Sequence, residues 1–389
     1  MSDAPRVMFY VQHLLGIGHL ARASRICAAL KAAGAEVTVV TGGLPVPGFP
    51  PEGLDHVALP PLATAGEGFS GLADGAGAPV TPAYLDARRD ALLAAFARLR
   101  PEVVVTEAFP FGRRQVRFEM LPLIAAIEAA HPRPALVASV RDILQSKVKP
   151  GRNEETVALV QAHYDRVLVH GDPAFVTLGD TFPLADQIAD RVSYTGLVAA
   201  PPPLPSDDRF DVVVSAGGGA VGGALSLAAL AAAAELPGLA RWAVITGPNL
   251  PEAEAAAVAD AAAGLPEGRV SLFRFRPDFP ALLAAARLSV SQAGYNTVCD
   301  ILQARCRAVL VPFAAGGETE QTLRAGHLQA AGRATMLPEA ALGGPALAAA
   351  IRAALAGPDP SKTELAVDGA AQTAQLLCEL TVSRRVTKV

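Results

Sequence analysis

Short runs of β-branched residues alternate with helix-length segments along this chain, and they do so twice. RVMFYV, AEVTVVT, PEVVVTE, ALVASV and DRVLVH each lead into a loop and a helical stretch in the first half. Near-continuous apolar runs of that length suit strands buried on both faces, and a helix between consecutive strands is what parallel pairing requires. The segment VAAPPPLPSDDRFD, with prolines at 201, 202, 203 and 205, interrupts the pattern and reads as a linker. Beyond it the alternation restarts with DVVVSAGGG, RWAVITGPN, VSLFRF, LSVSQAG, AVLVPF and RATMLP. The expected class is α/β, with two Rossmann-like, doubly wound domains over 1–200 and 206–365 facing across a cleft. Ligands of such sheets sit beyond the strand carboxyl ends, which places the expected active site in that cleft. The remainder, 366–389, holds a last helix from Asp368 to Thr381 that can pack back on the first domain.

At 389 residues, 51% hydrophobic and 18% charged, the chain can bury two cores. A formal charge of -4 supplies no global basic field, so no nucleic-acid partner is expected. Cys27, Cys299, Cys306 and Cys378 form no CxxC and no leader is read, which fits a reduced cytoplasm, with contact at the inner face of a membrane left open. Val212 to Ala234 carries no charge, but glycines interrupt it and its second half is mostly alanine. It reads as strand, glycine turn and helix rather than a membrane span.

Two glycine loops follow strands. In FYVQHLLGIGHLARASRICAAL, Gly16 to Ala21 matches G-x-G-x-x-A, the dinucleotide fingerprint. Against that fingerprint, HLLG lengthens the turn, and the second strand ends VVTGGLP with no acidic residue for a ribose. What remains is a plain βα turn, or a helix start offering N–H groups to a polar or anionic ligand with His19 at its mouth. SAGGGAVGG opens the second half in the equivalent place, where Gly217, Gly218 and Gly219 leave room for backbone N–H groups near phosphate oxygens.

The most specific stretch is FRPDFPALLAAARLSVSQAGYNTVCDILQARCRAVLVPFAAGGETEQTLRAGHLQAAGRATML. It resembles the nucleotide-sugar-binding half of GT-B glycosyltransferases of the MurG type, the glycosyltransferase family 28 C-terminal domain. The resemblance rests on a loop at Phe275 to Pro277, a Ser291-Gln292-Ala293-Gly294 turn opening a helix with Asp300, and a Val311-Pro312-Phe313 strand leading to Glu318 and Gln321. It implies a GT-B fold and sugar transfer from a nucleotide diphosphate sugar, UDP-linked and inverting. It implies a donor pocket of Phe275, Arg276, Ser291, Gly294, Asn296, Thr297, Asp300, Gly317, Glu318 and Gln321, with Gly217 to Gly219. The family has Glu where Asp300 stands, which shortens its reach to a ribose by one methylene. Residue by residue, a surface helix acid is the bland alternative for Asp300, a solvated loop for Glu318 and Gln321, and helix capping for Asn296 and Thr297.

Such transfer needs the leaving pyrophosphate stabilised and the acceptor hydroxyl deprotonated. No D-x-D occurs, and the E-x-E pairs are Glu252/Glu254 and Glu318/Glu320, so a metal-independent site is expected, using the Gly217 to Gly219 loop and the Gly294 helix start. No cofactor is expected beyond the nucleotide sugar as substrate. His19, with an ordinary imidazole pKa near 6.5, and Glu107 are the candidate bases. Gly16 and Gly18 are expected to admit the acceptor, a glycan that is lipid-linked or a small molecule. Arg113, Arg114 and Arg117 in AFPFGRRQVRF form either an acceptor phosphate clamp or ion pairs within loop and helix. His56, His131, His163 and His170 lack ligand spacing and receive no role. Two rivals stay open. One is a nucleotide-sugar 2-epimerase, whose Gly-Thr-Arg-x-Glu opening is absent, and the other a noncatalytic sugar-nucleotide-binding subunit.

Overall fold

The computed structural model describes residues 4–14, 18–64, 71–145, 149–204, 206–217, 221–360 and 365–386. Gly16, Gly218 and Gly219 lie outside the described residues. The chain forms two compact units: Met1–Pro173 with Thr177–Val198 and Asp368–Val389, and Ala199–Val367 with Ala174–Val176.

The first unit runs β1 (Arg6–Val11), α1 (Gly18–Ala32), β2 (Glu36–Thr41), β3 (Asp55–Ala58), an antiparallel pair of β4 (Ala63–Thr64) and β5 (Leu72–Ala73), and α2 (Pro82–Leu99). It continues with β6 (Val103–Glu107), α3 (Arg117–Ala129), β7 (Ala135–Arg141), α4 (Arg152–His163), β8 (Arg166–His170) and β9 (Val192–Tyr194). Among the described residues these make a parallel sheet in the order β3-β2-β1-β6-β7-β8-β9. The central strands are buried on both faces, as their Val-rich runs require, and Met8 and Tyr10 of β1 join one core with Leu92 and Phe96 of α2 and Met120 and Leu123 of α3. Helix α2 starts where sequence chemistry puts it: Thr81 accepts the Tyr84 N–H at 3.2 Å and Pro82 takes the first turn, where its missing N–H costs nothing.

The second unit runs β10 (Val212–Ser215), α5 (Gly223–Glu235), β11 (Trp242–Ile245), α6 (Glu252–Ala263), β12 (Val270–Phe273), α7 (Phe279–Ala285) and β13 (Leu288–Ser291). Then come α8 (Tyr295–Gln303), β14 (Ala308–Leu310), α9 (Glu320–Ala330), β15 (Thr335–Met336) and α10 (Gly344–Ala356). Its described strands are again parallel, in the order β12-β11-β10-β13-β14-β15. Trp242, Val244 and Val290 pack with Leu230 of α5 and Ile351 of α10 in its core. The uncharged Val212 to Ala234 stretch contains β10 and most of α5, and among the described residues no helix is long and apolar enough to cross a membrane.

Helix α11 (Gly369–Val386) closes the chain and belongs to the first unit. It packs along α1, and Arg385 donates from Nε to Glu102 Oε1 at 2.9 Å, while Arg384 donates to the Arg133 carbonyl at 2.9 Å.

Strand order reverses once in each sheet, between β1 and β6 in the first unit and between β10 and β13 in the second. Loops leaving such a pair part in opposite directions and open a crevice at the carboxyl edge, the ordinary ligand position of a doubly wound sheet. Each unit therefore has one topologically favoured site.

Candidate functional site

In the first unit, the crevice is built by residues from the ends of four strands. Glu107 is the last residue of β6, and its carboxylate is buried. His19, in the first turn of α1, places Nδ1 2.9 Å from Glu107 Oε1, and Arg22, one turn on, donates to the same oxygen. Ser139, paired with Glu107 in the β6–β7 register, donates from Oγ to Glu107 Oε2 at 2.5 Å. Behind Ser139 stands His170, the last residue of β8, with Nε2 2.8 Å from Ser139 Oγ and Nδ1 2.8 Å from Thr195 Oγ1.

Glu107 is ionised and can only accept, so the 2.9 Å contact puts the His19 proton on Nδ1, and the Arg22 terminal nitrogen that also lies 3.2 Å from Nδ1 donates to Glu107 Oε1 instead. That leaves Nε2 as the basic nitrogen. Burial works against the Glu107 charge, but Arg22, His19 and Ser139 outweigh it and hold its carboxyl well below the usual range. Burial dominates at His19: against the upward pull of Glu107, it lowers the imidazole to about 3. The ordinary value near 6.5 anticipated from sequence thus does not apply, because His19 faces a low-dielectric site next to Arg22 and Arg113 and only 17% of its side chain is exposed. His170, fully buried, is lowered to about 3 for the same first reason, with Arg22 adding to it.

These two histidines make stability depend on pH. Their unfolded values lie near 6.5 and their folded values near 3, so the unfolded chain binds protons first. Their contribution is complete above about pH 6.5 and is lost as pH falls toward 3, at about 1.4 kcal/mol per pH unit for each histidine. Urea unfolding between pH 7 and 4.5 is expected to show that fall before most carboxylates titrate, and a flat profile over that range would contradict the buried, neutral assignment.

Two further groups at this edge escaped the sequence reading. His13, after β1, is buried, and its ring lies against Gly43: a Cβ there would sit 2.2 Å from His13 Cε1. The Gly42-Gly43 pair, read only as a strand end without an acidic residue, therefore makes space. Arg113 holds φ 55 on the β6 loop, its Nε has no hydrogen-bond partner among the described residues, and burial, then Arg141, lowers its guanidinium to about 10, still cationic at neutral pH. Arg114 and Arg117 behave differently: both pair with Glu155 of α4, so for them the ion-pairing alternative holds and the three arginines do not form one clamp. Gly18 is the first residue of α1.

In the second unit, the crevice lies between the loops after β10 and β13. Gly217 adopts φ 76, a left-handed conformation that favours glycine. Gln292 ties the two loops, taking its N–H to the Ser215 carbonyl at 3.2 Å and donating from Nε2 to the Val221 carbonyl at 2.9 Å. Gly294 caps α8 with open space where a Cβ would stand, no side chain caps the helix, and Asn296 and Thr297 occupy its first turn. A helix start of this kind is where backbone N–H groups can meet an anion. Ser291 is buried and shares a 2.7 Å hydrogen bond with Ser289, which suits it to holding the turn.

Asp300 is 6% exposed and its Oδ1 lies 3.4 Å from the Ala200 N–H, so the surface-acid alternative does not describe it. Glu318 Oε1 accepts the Glu320 N–H at 3.0 Å at the start of α9, and Gln321 Oε1 accepts the Phe313 N–H at 3.1 Å; with Gly317 at φ 78, this loop is held by its own polar side chains. Arg324, fully buried, reaches from α9 to the Ala293 carbonyl at 2.9 Å and pairs with Glu320 at 2.7 Å, fixing the turn before α8. Arg276 is committed to Asp278 and Asp208 and stacks 4.7 Å from the Phe273 ring, whereas Phe275 is 64% exposed.

Residues 215–377 match the glycosyltransferase family 28 C-terminal domain. Over 85 residues the chain is 40% identical to the UDP-N-acetylglucosamine--N-acetylmuramyl-(pentapeptide) pyrophosphoryl-undecaprenol N-acetylglucosamine transferase of Anaeromyxobacter sp. (strain Fw109-5). That match spans only 22% of each of the two chains. Among solved structures, the calicheamicin glycosyltransferase CalG4 is similar with a TM-score of 0.59 at 16% identity, over 100% of this chain and 98% of that one. Acinetobacter baumannii MurG is similar with 0.57 at 16%, over 97% and 99%. At such identities the likeness is one of fold. The two parallel sheets and these neighbours give the chain the GT-B glycosyltransferase fold, and residues 215–377 form a glycosyltransferase family 28 C-terminal domain.

Proposed function

We propose that this chain is a glycosyltransferase that moves a sugar from a nucleotide diphosphate sugar to an acceptor hydroxyl, with inversion and without a metal ion. The observation that carries the reading is His19 Nδ1 held 2.9 Å from buried Glu107 at the carboxyl edge of the first sheet. In this reading the acceptor hydroxyl gives its proton to His19 Nε2 as its oxygen bonds to the anomeric carbon. The bond from that carbon to the β-phosphate oxygen breaks on the opposite face, and Glu107 stabilises the imidazolium that results. The departing pyrophosphate would be met by N–H groups at the start of α8 and in the loop after β10. Arg113 would take an anionic group of the acceptor, and Phe275 would offer its exposed ring to the base.

The donor is expected to be UDP-linked, and UDP-N-acetylglucosamine, for which the Anaeromyxobacter relative is named, is the first to try. A thermal-shift panel of UDP, TDP, GDP and their sugars tests binding, since a ligand at 100 times its Kd adds about 2.7 kcal/mol. Incubation of the best ligand with EDTA, with and without candidate glycan acceptors, then separates the outcomes. Transfer or slow hydrolysis supports the proposal, a 2-epimer supports the epimerase, and binding with no turnover supports the noncatalytic subunit. Turnover lost in EDTA and restored by Mn or Mg overturns the metal-free account. Asp300→Asn is expected to weaken donor binding by about 1.5 to 3 kcal/mol, the range of a hydrogen bond to a charged group. Unchanged affinity by calorimetry would confine Asp300 to holding the Ala200 backbone.

A further inference from the structure

Glu107 Oε2 lies at the end of a chain of polar groups that the proposed chemistry does not use: Ser139, His170 and Thr195, joined at 2.5, 2.8 and 2.8 Å. All three are buried. Their proton directions follow from counting. A neutral His170 has one N–H, and Ser139 and Thr195 have one O–H each. If His170 carries its proton on Nδ1, Thr195 accepts it and passes its own proton to the Gly196 carbonyl at 3.1 Å. The single Ser139 proton goes to Glu107 Oε2, which can only accept, and the 2.8 Å contact between Ser139 Oγ and His170 Nε2 is then left with no proton in it.

If His170 carries its proton on Nε2, Thr195 donates to Nδ1, His170 donates to Ser139, and Ser139 donates to Glu107. Only the longer contact to the Gly196 carbonyl is given up, and an under-served carbonyl costs less than an under-served carboxylate. The second arrangement wins, with every donor aimed at the carboxylate.

A glutamate's terminal torsion is broad and two-fold, so a carboxylate held through one oxygen can rotate. The other oxygen decides where Oε1 points. We infer that Ser139 and His170 are positioning residues, which lock the Glu107 carboxylate through Oε2 so that Oε1 fixes the Nδ1–H tautomer and ring orientation of His19. Thr195 sets the His170 tautomer in turn. The inference rests on the reading of His19 as base, and it concerns the register of three strand ends rather than any group touching substrate.

The test has a readout that needs no turnover. Nitrogen-15 NMR of the imidazoles in the whole chain is expected to show His19 in the Nδ1–H form and His170 in the Nε2–H form at pH 7. Ser139→Ala is expected to broaden His19 into a tautomer mixture and to lower kcat at least about tenfold with donor affinity unchanged, as expected for lost orientation rather than lost binding. His170→Phe is expected to do the same. His170→Gln, whose amide nitrogen can stand near the position of Nε2, is expected to recover kcat to within about threefold of the parent chain. Ser139→Ala with an unmoved His19 tautomer and unchanged kcat overturns the inference, as does a His170 found as the Nδ1–H form. His19→Ala with full turnover would overturn the base reading instead, while the tautomer measurements would still stand or fall on their own. Should Ser139→Ala fail to fold, Ser139→Cys and the two His170 variants carry the same comparison.

Discussion

Replacing His19 by alanine is expected to leave the fold and the nucleotide affinity in place and to cut turnover at least about 10²-fold. The ring lies in the first turn of α1 with one edge exposed, so its removal opens a small space at a crevice rather than in a core. Since general-base help acts in the transition state, kcat and kcat/KM should fall together. The low basicity of His19 adds a second signature. An imidazole held at about 3 is already unprotonated near pH 5, so the kcat/KM profile is expected to lack an acid limb near 6.5. Such a weak base takes the proton late, after bonding to carbon has made the acceptor oxygen acidic. Glu107→Gln is the sharper rival variant but the poorer probe, because it also deprives buried Arg22 of its anion. Loss of turnover with Glu107→Gln, alongside near-full activity in His19→Ala, would reverse the two roles.

The largest stability effect is expected one layer below the crevice. Arg88 and Glu119 are both fully buried and paired through two bonds, Nε to Oε2 at 2.8 Å and the terminal nitrogen to Oε1 at 2.9 Å. Tyr10 donates to Glu119 Oε1 at 2.5 Å, and Arg88 reaches the Gly42 carbonyl at 2.7 Å and Gln12 Oε1 at 2.6 Å. Removing one member strands a charge among these groups, so Glu119→Ala is expected to cost about 3 to 5 kcal/mol in urea unfolding of the first unit. Arg88→Met with Glu119→Leu, which removes both charges at similar volume, is expected to recover much of that loss. A loss below about 1 kcal/mol for the single variant would mean that water or a rearranged partner reaches Arg88. The same network holds Gln12 beside His13, so it also shapes the floor of the site.

The alternation of strands and helices was legible from local pattern. Periods of 2 and 3.6 and the Val-rich runs are properties of neighbouring residues, and the central strands β1, β6 and β10 bury both faces as their composition demands. His19 and Glu107 could be named as site candidates because each follows a strand run or a glycine turn. What the sequence could not supply was who meets whom. His19 and Glu107 are 88 residues apart, Glu107 and Ser139 are 32, and Ser139 and His170 are 31.

Only the register of β6, β7 and β8 makes them neighbours, and spacing along the chain carries no information on pairing across the sheet, which is where His170 finds its partners. A usable signal existed for two of them: VVVTE and RVLVH each end an apolar strand in a polar group, whereas Ser139 lies two residues before the end of ALVASVR. The arginines show the same limit, since identical chemistry at 113, 114 and 117 was sorted only when α4 brought Glu155 to two of them. Burial, which moved His19 from its ordinary pKa, is likewise a property of the packed sheet edge and of no single residue. The chain alone determined the elements and the class of fold, because those follow from short-range periodicity. Tertiary structure decided the partners, the protonation states and the division of roles, because these depend on contacts that hydrogen-bonded strand register creates between residues far apart in sequence.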